Sequence, residues 1–140
     1  METQNYKNHA RMHPIYHYVL SLLVVGGQIA SIVYLFKTED TFLGVLLMVM
    51  SLSLAVTFAL LRLYPLKAQD RAIRAEENLR YYVLTGKLLD AKLTPGQIVA
   101  LRFAPDNEFP GLAERAAVEN MKPKEIKQAI NNWKADHYRI

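Results

Sequence analysis

The sequence predicts an all-α membrane protein: a two-helix transmembrane hairpin followed by amphipathic and short helices in a cytoplasmic tail. Three observations predict it. Two apolar stretches, Ile15–Phe36 and Thr41–Leu61, contain no Asp, Glu, Lys or Arg. At about 1.5 Å of rise per residue, each is long enough to cross a hydrocarbon core of roughly 30 Å. Only Lys37-Thr38-Glu39-Asp40 separates them, which forces the second helix back beside the first. Residues 62–140, by contrast, carry charge throughout and read as a helical segment for water. That segment is near the lower size limit for an independent core, so it is expected to lean on the membrane surface or on another subunit.

The first 14 residues form a polar N-terminal segment ending at Pro14, a residue suited to a first helical turn because its missing N–H would be unpaired there anyway. Tyr16 and Tyr18 at one end of the first span, and Tyr34 and Phe36 at the other, fit the headgroup level where aromatic residues gather. A cleaved signal sequence would have a shorter apolar run of about 7–15 residues and a small-residue cleavage site. The long first run, followed at once by a second one, fits two spans better. Within the spans, Gly26/Ala30 and Gly27/Ser31 are four apart, as are Ser51, Ala55 and Ala59. Helix pairs in lipid rely on close packing, which small side chains permit, so these faces are expected to form the hairpin contact, with Gly26 and Ser51 at similar depth. A dimer seam built from the same faces is the competing reading.

Residues 62–92 form a juxtamembrane segment. Pro65 is expected to bend or break the helix, since it lacks a donor and crowds the carbonyl four residues back. A new helix then runs from about Leu66 to Thr85 and stops at Gly86. Its solvated face would carry the pairs Asp70/Arg74, Glu76/Arg80 and Arg74/Glu77. Ala68, Ala72, Ala75, Leu79, Tyr82 and Val83 recur at helical spacing as an apolar stripe, with Ile73 outside it. The stripe could lie on lipid headgroups, pack on the last helices or form a short coiled coil.

Residues 93–140 read as a small helical module. Thr94 is an N-cap, with Pro95 at the first position and Gln97 at the third, opening a helix through Ile98, Leu101 and Phe103. Asp106-Asn107-Glu108 is a turn, Phe109-Pro110-Gly111 opens a helix to about Met121, and Lys122-Pro123 opens one carrying Ile126, Ile130 and Trp133 on one face.

Orientation follows from charge. The flanks before the first span and after the second hold Lys7, Arg11, Arg62, Lys67, Arg71, Arg74 and Arg80, whereas the connector holds Lys37 beside Glu39 and Asp40. Lys and Arg near membrane ends stay cytoplasmic, which puts both termini there. Membrane lipid is thus an expected partner, and the basic segment 62–92 can hold to anionic headgroups at about 1 kcal/mol per well-placed cation.

Several blocks are distinctive: Gln4-Asn5-Tyr6-Lys7-Asn8-His9, Leu79-Arg80-Tyr81-Tyr82-Val83-Leu84-Thr85-Gly86-Lys87, Gln97-Ile98-Val99-Ala100-Leu101-Arg102-Phe103-Ala104, Pro123-Lys124-Glu125-Ile126-Lys127 and Asn132-Trp133-Lys134-Ala135-Asp136-His137-Tyr138-Arg139. Together they resemble an uncharacterised family of small bacterial membrane proteins, a domain of unknown function. The resemblance implies a stand-alone bacterial membrane protein of about this length, with two spans and a helical cytoplasmic tail. It implies no activity and transfers no functional residue.

The absence of cysteine excludes disulfides, thiolate metal sites and cysteine nucleophiles. His9, His13 and His17 are four apart, and imidazoles so spaced can bind a metal. Pro14 interrupts the row and no fourth ligand is evident, so no metal and no cofactor is expected. Residues 93–140 are nearly charge-balanced, which argues against nucleic acid as a partner. No phosphate loop, nucleophile elbow or metalloprotease helix occurs, so an enzyme is not expected. The expected function is an inner-membrane interaction or accessory subunit, binding its own copies or another membrane protein, with Tyr81, Tyr82 and Trp133 as interaction residues. The alternative is a homo-oligomeric pore or small-molecule transport subunit lined by Gln28 and the span serines, although none of these is ionisable, as residues marking transport routes are, and Gln28 near mid-depth fits a hydrogen bond to a neighbouring helix better.

Overall fold

A computed structural model of the protein describes residues 4–6 and 12–136. These residues form a π-helical turn, Ile15–Leu20, then α1 (Ser21–Lys37), α2 (Thr41–Thr85), α3 (Pro95–Leu101), α4 (Phe109–Val118) and α5 (Pro123–Ala129). No strand occurs among the described residues. The chain divides into two units, one built from residues 12–66 and the other from residues 67–136 with residues 4–6.

In the first unit, the helix Ile15–Lys37 and the helix Thr41–Thr85 are each long and apolar enough to cross a membrane. Both begin where the sequence places them. The connector has a local cause: Asp40 Oδ1 accepts from the Leu43 N–H at 3.0 Å, capping the start of α2, and Thr38 Oγ1 accepts from the Asp40 N–H at 3.1 Å. The two helices meet along Val24, Gln28, Ser31 and Leu35 on one side and Gly44, Met48, Ser51, Ala55 and Phe58 on the other, all buried or half-buried. Spacings that alternate between four and three residues keep one seam facing its partner, as in left-handed helix pairs.

The first apolar helix does not start as a regular α-helix. Its opening π-helical turn presents Tyr16 to Phe58: the rings stack at 4.5 Å and the Tyr16 hydroxyl donates to the Phe58 carbonyl at 2.6 Å. Tyr16 is therefore a packing residue, while Tyr18 and Phe36 remain exposed. The expected break at Pro65 does not occur; α2 runs through it. Proline removes one donor from the ladder, and the helical turns on either side keep their own hydrogen bonds. The end at Thr85 is as expected, because Gly86 adopts φ +72° and its N–H reaches the Tyr82 carbonyl at 2.8 Å.

In the second unit, α3, α4 and α5 pack around Leu101, Phe103, Phe109 and Ile126, whose side chains are fully buried. Full burial of each is worth about 1.5–3 kcal/mol. Thr94 and Gln97 form the expected capping box, and the remaining Gln97 amide donates to the Met121 carbonyl at 2.8 Å, tying α3 to the end of α4. Two helices end earlier than their apolar spacing predicts. α3 stops at Leu101, before Phe103, and α4 stops at Val118, where Asn120 takes φ +50° and the Met121 N–H bonds back to the Ala116 carbonyl at 3.1 Å. That left-handed residue closes the helix. α5 ends at Ala129, so Trp133 does not share a helical face with Ile126 and Ile130. The chain turns extended at Ile130 and brings Trp133 onto Phe103, ring centres 4.8 Å apart.

Candidate functional site

Residues 67–85 of α2 have an inner face and an outer face, and of the three placements left open for the apolar stripe, packing on the last helices is not the one taken. Ile73 and Tyr81, 7% and 6% exposed, point inward with Glu77. The stripe of Ala68, Ala72, Ala75, Leu79, Tyr82 and Val83 points outward, with Leu79, Tyr82 and Val83 at 64%, 52% and 75% exposed. A helix turns each residue by about 100°, so the two rows lie on opposite sides.

Arg80 explains the choice. Its Nε donates to Asp106 Oδ1 at 2.7 Å, one terminal nitrogen to Glu77 Oε2 at 2.9 Å and the other to the Ala104 carbonyl at 2.7 Å. The guanidinium also sits 4.5 Å over the Phe109 ring. This replaces the expected Glu76/Arg80 pair with one that binds α2 to the loop before α4. The Arg80 hydrogen bond holds the Asp106 carboxyl below the usual carboxylate range. Glu108 makes a second anchor, accepting from the backbone N–H groups of Asn131 and Asn132 at 3.0 and 3.2 Å. Arg102, buried, pairs with Asp136 at 2.9 Å and stacks over Phe103.

Beside this network lies a cleft of about 390 Å³, walled by Leu89, Leu93, Ala113 and Ala117, with Lys87 and Glu114 among its polar groups. The Tyr81 hydroxyl lines it and points to Glu114 Oε1 at 3.5 Å. Burial, and then the Glu114 carboxylate, push that hydroxyl up from the ordinary tyrosine value. Tyr81 is thus a core residue with its polar end in a cleft, Tyr82 is exposed, and Trp133 is half-buried against the core. Of the three expected interaction residues, Tyr82 presents an exposed ring.

The hairpin residues divide similarly. Ser31 and Ser51 meet directly, with hydroxyls 2.8 Å apart, and Ala55 is half-buried on the same seam. Gly26, Gly27, Ala30 and Ala59 are exposed, and a Cβ on Gly26 or Gly27 would meet nothing within 4 Å. The close approach is at Gly44, where a Cβ would lie 2.9 Å from Leu35 Cδ1 and 3.3 Å from Leu35 Cα. Gln28 donates to Met48 Sδ at 3.4 Å, and its buried Oε1 has no hydrogen-bond partner among the described residues. His9 lies outside the described residues. His17 Nδ1 is 3.0 Å from the His13 carbonyl, and among the described residues no three His, Asp or Glu side chains gather as a metal site would need.

The geometry defines an all-helical chain with two helices of membrane-spanning length and composition and a small helical unit with an uncovered apolar row. Over residues 1–140 the sequence matches the model of a family of unknown function, DUF6526, and the chain belongs to that family. No curated protein and no solved structure matches it.

Proposed function

We propose that the protein is a non-enzymatic interaction or accessory subunit of the bacterial inner membrane, anchored by its hairpin with both ends in the cytoplasm. The observation that carries this reading is the outward apolar row Leu79, Tyr82 and Val83 on a helix whose other side is committed to the folded module. Exposed apolar rows on otherwise well-packed units mark surfaces that another molecule covers. The serines support an anchor over a pore, because Ser31 and Ser51 bond to each other inside the hairpin. Native mass spectrometry after gentle extraction tests the proposal. The expected result is a particle containing more than one protein chain, reduced to a bare monomer by Leu79→Glu with helix content unchanged. A bare wild-type monomer would sink it.

A further inference from the structure

We infer that the occupant of the outer face of α2 is a second copy of this chain, packed in parallel through Ala68, Ala72, Ala75, Leu79 and Tyr82. The inference rests on the anchored-interaction reading and names its partner. The five residues are spaced alternately by four and three, the repeat that keeps a seam continuous between two helices. All five are exposed on a helix that is already formed, so pairing requires no refolding of this segment.

Charge selects the partner and its direction. Arg71 and Glu76 flank the row on opposite sides, both exposed, and neither makes an ion pair among the described residues. In a parallel pair of helices, the residue on one flank meets the residue five positions later on the other flank of its neighbour. Arg71 of each copy therefore faces Glu76 of the other, giving two symmetric ion pairs. A face built to lie on anionic headgroups would carry cations on both flanks, whereas this one is basic on one side and acidic on the other. Two copies anchored in one bilayer in the same orientation are compatible with parallel packing. The seam is short, about 21 Å from Ala68 to Tyr82 at the helical rise. Confinement to one membrane raises the effective concentration that such a seam needs.

The chain lacks cysteine, so single substitutions report cleanly. Ala68→Cys, Ala75→Cys and, as an off-seam control, Arg74→Cys are compared by oxidative cross-linking of the full chain in native membranes. The seam positions are expected to form disulfide-linked dimers and Arg74→Cys much less. In the Ala75→Cys background, Arg71→Glu should slow cross-linking about tenfold by opposing like charges, and Arg71→Glu with Glu76→Arg should restore it. Equal cross-linking at Arg74→Cys and Ala75→Cys, or no cross-linking in protein that stays in the alkaline-washed membrane pellet, overturns the second copy. Failure of the double charge swap to rescue overturns the parallel register. Release of the protein from that pellet would instead overturn the anchored reading itself.

Discussion

Arg80 spends its whole guanidinium on Asp106, Glu77 and the Ala104 carbonyl while stacking on Phe109. A point cation cannot reproduce that fork. Arg80→Ala leaves the buried Glu77 carboxylate without this partner and is expected to cost about 3 kcal/mol, with Arg80→Lys recovering less than half, as measured by denaturant unfolding in detergent. The two displaced titrations give pH dependence of opposite sign. Asp106 has a folded-state pKa below its unfolded one, so its contribution is present above about pH 3.9 and is lost as pH falls through the lower folded value. Tyr81 has a folded-state pKa above its unfolded one, so its contribution is full below about pH 10 and is lost as pH rises through the higher folded value. Wild-type protein should therefore lose stability faster than Tyr81→Phe as pH climbs past about 10. Parallel alkaline slopes for the two proteins would contradict the buried setting of Tyr81.

At the scale of elements, glycine separates a contact from a surface. Gly44→Ala puts a methyl against Leu35, including its backbone, and should cost about 1 kcal/mol by pushing the helices apart. Gly26→Ala and Gly27→Ala meet open space and should be neutral or stabilising by up to about 1 kcal/mol, since alanine is the better helix former. Hairpin unfolding titrations in mixed micelles measure all three, and a larger loss at Gly26 or Gly27 than at Gly44 would reverse the assignment. Helix starts were legible in the sequence because their signals are local: Pro14, Thr94-Pro95 with Gln97, Phe109-Pro110 and Lys122-Pro123. Helix facing was not. The outward row of α2 is the more apolar one, and what turns Ile73, Glu77 and Tyr81 inward is the reach of Arg80 to Asp106 and Ala104, more than 20 residues away. Gly44 was missed for the same reason: no small-residue spacing marks it, and only the returning Leu35 shows why a side chain does not fit.

For the whole molecule, the proposed anchor has two crossings, and an even number returns the chain to the surface it left. Residues 4–6 belong to the same unit as residues 67–136, and Gln4 Oε1 accepts from the Asp136 N–H at 2.7 Å. If the two apolar helices cross a membrane as proposed, a hydrogen bond between the segment before the first and the segment after the second requires both on one side of it. In the proposed reading, the excess of Lys and Arg on those flanks puts that side in the cytoplasm. In this arrangement Glu39→Cys, in the connector, should react with a membrane-impermeant maleimide added to intact spheroplasts. Lys92→Cys should react only after permeabilisation. The reverse pattern would keep the hairpin but invert it, making the charge argument wrong. Labelling of both sites from outside would mean that the two apolar helices do not hold the connector and the module on opposite sides of a bilayer, and the anchor would go with them.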